Sequence, residues 1–270
     1  MINYANEVVK SLGIDGAEVK EIEKANGIKM VGIVIPVEGS NMAPTIYINQ
    51  MKENGLTPAE AATEVLRIYD NSKESSVDVD FITDFEKVKS MLRARLYNEK
   101  TKADVYKSAN EYGFDDLIIV PYINLGKIGS TEGAVKVTSD LMATWGVTET
   151  EIIDIAIENL KEDGIIKTMA EILAGMMPEG MEMLTPLGGP QMYVISNTSK
   201  TFGAIQVIIQ KDKLNEMFPS GYIVLPSSVH EVIVVPKDAG DLDFLSSMVN
   251  DVNASDVSPQ EVLGTKAYEF

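Results

Sequence analysis

The hydrophobic pattern is densest over residues 221–236, GYIVLPSSVHEVIVVP. Two β-branched runs, 222–225 and 232–235, flank the polar segment Pro226-Ser227-Ser228-Val229-His230-Glu231. Runs so short and so rich in Val and Ile predict buried strands joined by a turn or bulge. Near the N-terminus a loosely alternating run at 17–23 and a strongly apolar one at 28–35 flank Asn26-Gly27. Both of those residues accept positive φ, which marks a hairpin. A third short run covers 45–48, and 116–125 with 134–137 predicts another pair across the loop 126–133. Residues 192–195 read as a strand, and 202–209 as a second strand or the lead into a helix.

Helical periodicity and capping residues fill the intervals. Residues 3–12 carry Val8, Val9 and Leu12 on one side and stop at Gly13 and Asp15-Gly16. Thr57-Pro58-Ala59-Glu60 puts threonine at an N-cap, proline in the first turn and glutamate at the third position. Ala62, Val65, Leu66 and Tyr69 then repeat at i, i+3, i+4, i+7. That helix is expected to end near Asp70-Asn71-Ser72, before a linker at 73–76. Asp84 is the expected cap of a helix in which Phe85, Val88, Leu92 and Leu96 share a face. Thr148 and Glu151 form a second capping box, with Ile152, Ile153, Ala156 and Leu160 inward. Residues 165–177 predict a further helix, 178–190 a loop and 211–218 a short helix. Asp243 is expected to cap a helix with Leu245, Met248, Val249 and Val252 inward. Ser258-Pro259-Gln260-Glu261 repeats the capping logic of 57–60.

Strand pairs followed by helices therefore recur over 17–69, 116–160 and 192–252, with no repeat of fixed period. The expected fold class is α+β, with mostly antiparallel sheet pairs and packed helices. The expected division sets an N-terminal α+β region, 1–180, beside a C-terminal strand-strand-helix-strand-strand-helix region, 181–270.

Composition narrows the chemistry. The 270 residues suffice for one large domain or two smaller ones. The absence of cysteine excludes disulfides, thiolate metal sites and a cysteine nucleophile. A single histidine leaves zinc with carboxylate ligands almost alone, so no metal or other cofactor is expected. Net charge is −18, and such a surface repels phosphate backbones, so nucleic acid is not the expected partner. The start, MINYANEVVKSLG, lacks the basic and apolar regions of a secretory signal, and no apolar run approaches the ~20 residues that span a bilayer. A cytoplasmic location is expected, with a protein or small molecule as partner and no membrane.

The candidate chemistry lies in the 226–231 turn. Ser227 or Ser228 with His230 is the raw material of a hydrolase, which needs a base in reach of the hydroxyl and an acid to orient the base. In a regular strand, however, Ser228 and His230 share a face while Glu231 points to the other. No G-x-S-x-G elbow occurs. The competing role is structural: the serine hydroxyls cap backbone groups and His230 bonds a carbonyl. The loop 126–133 lacks the Gly-Lys-Ser/Thr ending of a phosphate-binding loop and reads as a hairpin connection. Asp78, Asp80, Asp84 and Glu86, and again Asp238, Asp241 and Asp243, read as solvated helix starts without calcium-loop spacing. Trp145 and the 14 methionines read as core filling.

Several segments carry a family resemblance. They are Asn26-Gly27, Pro44-Thr45-Ile46-Tyr47-Ile48-Asn49, Met192-Tyr193-Val194-Ile195-Ser196-Asn197, Gly203-Ala204, residues 225–231 and the ending 257–268. Over nearly its whole length the chain resembles a bacterial family known as domain of unknown function 5688, with Leu-Pro-Ser-Ser-Val-His-Glu its most specific motif. The family often has two asparagines before the glycine where this chain has Ala25-Asn26. The resemblance implies a soluble cytoplasmic protein and carries over no catalytic residue. Two readings follow: a non-enzymatic binding protein with the 226–231 turn displayed at one end of a sheet, and a hydrolase-like enzyme. They part on whether His230 lines a concave pocket with a second carboxylate near it or is packed under a helix.

Overall fold

A computed structural model describes residues 1–37, 43–73, 80–128, 131–176 and 190–270. The chain opens with helix α1 (Ile2–Leu12). Strands β1 (Glu18–Glu23) and β2 (Lys29–Val34) pair antiparallel, and the reversal between them holds Asn26 and Gly27 at φ 60° and 71°. That is the conformation for which the Asn-Gly pair is suited. β3 (Thr45–Tyr47) joins the far edge of β2, and α2 (Asn49–Glu53) and α3 (Pro58–Lys73) follow. The Thr57 N–H and hydroxyl both donate to Glu60 Oε2, at 2.8 and 2.7 Å, so the predicted capping box opens α3. Ala62, Val65 and Tyr69 pack with Ala5, Val8, Val31 and Ile33 in a core separate from the rest.

The next segment departs from its expected form. α4 (Phe85–Val88) is a single turn, and the Asp84 carboxylate pairs with Lys87 at 3.3 Å instead of capping it. Residues Leu92–Asn98 form strand β4, not more of that helix. Leu92 and Leu96 are four apart, a spacing that fits both periods; buried Leu92, Ala94, Leu96 and Asn98 alternate, which is the period of a strand. β5 (Lys107–Ser108), β6 (Leu117–Ile128) and β7 (Thr131–Lys136) complete a sheet in which β6 pairs with all three others. The expected loop 126–133 is largely ladder: past a bulge between Asn124 and Gly126, pairing runs from Gly126↔Gly133 to Ile128↔Thr131. Residues 129–130 lie outside the described ones.

α5 (Ser139–Trp145) packs against the helical turn at Asp80–Thr83, and α6 (Glu149–Glu158) covers this sheet. The Thr148 hydroxyl accepts from the Glu151 N–H at 3.3 Å, and Ile152, Ile153, Ala156 and Leu160 are buried, as their periodicity predicts. Trp145 packs on Phe85 and donates to the Ile82 carbonyl at 2.9 Å.

The helix expected from 165 begins later. β8 (Gly164–Thr168) precedes α7 (Met169–Met176), because Thr168 and Glu171 make a capping box that starts the helix at 169. In it the Thr168 N–H and hydroxyl each reach Glu171 Oε2 at 2.7 Å. Ile165 and Ile166 are thereby left to pair with β9 (Tyr193–Asn197), across the expected 180/181 division. The loop expected at 178–190 lies, apart from Pro190, outside the described residues. Residues 202–209 take the helical alternative, ending in α8 (Gln206–Ile209), and α9 (Lys211–Met217) follows.

β10 (Tyr222–Leu225) and β11 (Val232–Pro236) are the predicted antiparallel neighbours, with Val224 opposite Val234. α10 (Leu242–Ser255) and β12 (Tyr268–Glu269) complete the chain, and the sheet order is β12-β10-β11-β9-β8. Asp241 caps α10, not Asp243: its carboxylate accepts from the N–H groups of Asp243 and Phe244 at 2.9 and 3.3 Å. Met248 and Val252 are exposed, because α10 rests on a narrow satellite core and buries only Leu245 and Val249 there. Residues 258–261 form a turn and no helix, since the Glu261 carbonyl is taken by the Val229 N–H at 2.9 Å. The second and third sheets share the largest core. The fold is α+β with antiparallel sheets and packed helices. Among the described residues no helix is long and apolar enough to cross a membrane.

Val234 is fully buried, paired with Val224 on one side and Tyr193 on the other. Val234→Asp leaves a carboxylate in that core without a partner and is expected to cost several kcal/mol. A urea titration would register this as a large fall in midpoint; an unchanged midpoint would contradict the packing described.

Candidate functional site

The 226–231 turn is clasped, not displayed. On one side the Gly264 N–H donates to the Pro226 carbonyl at 2.7 Å, the Leu263 N–H to Ser227 at 3.2 Å, and the Val229 N–H to Glu261 at 2.9 Å. Ser228 and Val262 form an antiparallel bridge between them. On the other side the Ala204 N–H donates to the Val229 carbonyl at 3.2 Å and Ser196 Oγ to the His230 carbonyl at 2.8 Å. Gly203 is obligatory in this contact. A Cβ there would collide with Ser196 Oγ, the Asn197 nitrogen and the His230 carbonyl oxygen. The N-terminal hairpin reaches the same place, where Asn26 Nδ2 donates to the carbonyls of Pro259 and Val262 at 2.9 and 2.7 Å.

Beside the clasp lies a cleft of about 620 Å³. All three sheets or their flanking turns contribute: Lys24 and Tyr47 from the first, Arg95 and Tyr97 from the second, Phe202 and His230 from the third. Glu261 joins them from the clasping segment. Of the candidate residues Pro226, Ser227, Ser228, His230 and Glu231, only His230 lines this cleft. Pro226 is buried behind it, Ser227 and Ser228 are half-buried outside it, and Glu231 is exposed.

The His230 ring is held at one nitrogen and faces a carboxylate with the other. Nδ1 accepts from the Phe202 N–H at 3.2 Å, and Nε2 lies 3.6 Å from Glu261 Oε1. A backbone bond was expected, but to a carbonyl; the partner is an N–H, so the neutral ring carries its proton on Nε2, toward Glu261. Phe202 itself sits at φ 53°, the left-handed region that a bulky residue seldom occupies. The bond to His230 and an Asn197 side chain that accepts from the Thr201 N–H at 3.1 Å hold it there. Its ring is thereby aimed over β4.

Arg95 escaped the sequence reading. Its guanidinium centre lies 4.4, 4.6 and 5.4 Å from the ring centroids of Tyr122, Phe202 and Tyr97. Burial pushes the Tyr97 phenol up; the Arg95 charge pulls it back, and Glu261 raises it further. The available signal was the alternation Leu92-Arg93-Ala94-Arg95-Leu96-Tyr97, which sets Arg95 and Tyr97 on one strand face.

His230 therefore meets the test that keeps an enzyme reading open, a concave cleft with a carboxylate near. The rest of that machinery is not assembled. Ser228 Oγ accepts from the backbone N–H of His230 at 3.1 Å and so engages its main chain, not its ring. With Nδ1 occupied and Nε2 toward Glu261, no ring lone pair is turned to a nucleophile. Among the described residues no group of three or more His, Asp or Glu side chains is placed to hold a metal ion.

The fold is that of an α+β protein with a cleft of small-molecule size and, among the described residues, no clear catalytic or cofactor signature. The chain matches the model of a family of unknown function, DUF5688, over residues 4–270, and belongs to that family. No curated protein and no solved structure matches it. The segments that carry the family resemblance come together here: Asn26, Tyr47, Ser196, Gly203, the 226–231 turn and residues 259–264 all border the cleft or its clasp.

His230→Ala removes the acceptor of the Phe202 N–H at a backbone already in the left-handed region. It is expected to lower stability by about 1–3 kcal/mol, measured as a fall in the urea midpoint. An unaltered midpoint would show that the ring does not hold this wall of the cleft.

Proposed function

We propose that the protein is a soluble, cytoplasmic, non-enzymatic binding protein whose cleft holds a small molecule. The observation that carries this is a preformed wall: His230 and Phe202 are fixed to backbone groups on the edge of a cleft of about 620 Å³. Clefts of roughly 300–1,000 Å³ suit small organic ligands. The lining fits, since the Tyr47, Tyr97 and Phe202 rings offer apolar area and Arg95, His230 and Glu261 offer a few polar contacts. The cytoplasmic assignment rests on the cysteine-free, acidic composition.

The hydrolase-like alternative keeps Ser227 or Ser228 with His230, and the His230–Glu261 approach at 3.6 Å is what favours it. One experiment separates the two. Native mass spectrometry of protein purified from its own host is expected to reveal a retained small molecule. A Ser227→Ala, Ser228→Ala double variant is expected to retain it equally. Turnover of a chromogenic ester by the wild type that disappears in the double variant would overturn the binding reading.

A further inference from the structure

Pairing of β4 with β6 sets Arg95 opposite Val120, with its guanidinium among the rings of Tyr122, Phe202 and Tyr97. The residue is only 9% exposed, its Nε is fully enclosed without an acceptor, and no carboxylate pairs with it among the described residues. Ring faces offset part of the lost hydration of a cation, but they accept no hydrogen bond in the guanidinium plane. The terminal nitrogens make no hydrogen bond among the described residues and are left to the cleft.

The acids of the cleft do not fill that role. Glu23 pairs with Lys102 at 2.9 Å, and Asp104 accepts from the N–H and hydroxyl of Ser139 at 2.7 and 2.9 Å. Glu261 faces His230. Lys24, 4.3 Å from the Tyr47 ring centroid, and Lys136 add positive charge to the lining. With four cations and three carboxylates in its lining, the cleft is net positive, in a chain of net charge −18.

We infer that the cleft takes a small organic oxyanion, a carboxylate or phosphate monoester borne on a flat ring, with its oxygens paired to Arg95. The inference rests on the small-molecule reading above. A guanidinium fork matches two oxygens of one group bidentately. The rings of Tyr97 and Phe202 line the cleft beside the guanidinium and offer apolar area to a flat substituent, and the acidic surface disfavours nucleic-acid polyanions.

The test titrates the wild-type protein with benzoate, phenyl phosphate and neutral benzamide, following the Arg95 Nε–H resonance by ¹⁵N NMR. One of the two anions is expected to move that resonance to saturation, and which one does so separates carboxylate from phosphate. Benzamide is expected to bind about tenfold more weakly or worse, and Arg95→Met to lose the anion by a similar factor. Benzamide binding as well as the anions, or anions binding Arg95→Met unchanged, would overturn the oxyanion assignment while leaving a small-molecule cleft. No perturbation of any cleft resonance by the three probes would overturn both. If Arg95→Met does not fold, the wild-type titration decides alone, and an Nε–H resonance unmoved by either anion overturns the inference.

Discussion

The structure depends on one short backbone interaction, the pairing of residues 259–264 with the 226–229 turn. Buried main-chain N–H and C=O groups need partners, and a turn between two fully buried strand ends cannot all be satisfied by water. Here the clasping segment supplies them, at Pro226, Ser227 and Val229. The consequence is geometric. Holding the turn fixes His230, His230 fixes the Phe202 backbone, and Phe202 closes the cage over Arg95. The same segment carries Glu261 to the other nitrogen of the histidine and takes the Asn26 side chain from the first sheet. A contact made for hydrogen-bond bookkeeping thereby sets the shape of the cleft.

The electrostatics are local against a contrary background. A net charge of −18 makes the surface inhospitable to anions at long range, yet salt screens such fields beyond about 8 Å at physiological ionic strength. Inside the cleft the deciding groups are closer than that. Arg95 is desolvated and cradled by aromatic faces, and neighbouring carboxylates are occupied elsewhere. Composition alone makes nucleic acid an unexpected partner, but it could not reveal a cleft of opposite sign.

Legibility followed sequence distance. The Asn26-Gly27 hairpin, the Thr57 capping box and the β10–β11 pair are local, and residues a few positions apart determine them. Of the four strands absent from the sequence pattern, β4, β5, β8 and β12, the first and third have local reasons. Leu92 and Leu96 satisfy either period, and the Thr168–Glu171 box, which delays a helix and frees β8, was overlooked. His230 stood out as the only histidine, but its partners did not. Phe202 reaches it through an unfavourable left-handed backbone, and Glu261 through a bridge that no periodicity announces. Arg95 gains meaning only when Phe202 arrives from another sheet.

Native-state hydrogen exchange at the amides of Val229, Leu263 and Gly264 tests the clasp most directly. Amides that open only with global unfolding exchange with the full stability of the protein, whereas those in loose loops exchange freely. The account predicts protection for these three comparable to that of Val224 and Val234 in the central hairpin. Exchange at the rate of an exposed loop would mean that the turn is not held, and that the cleft wall built on it is not preformed.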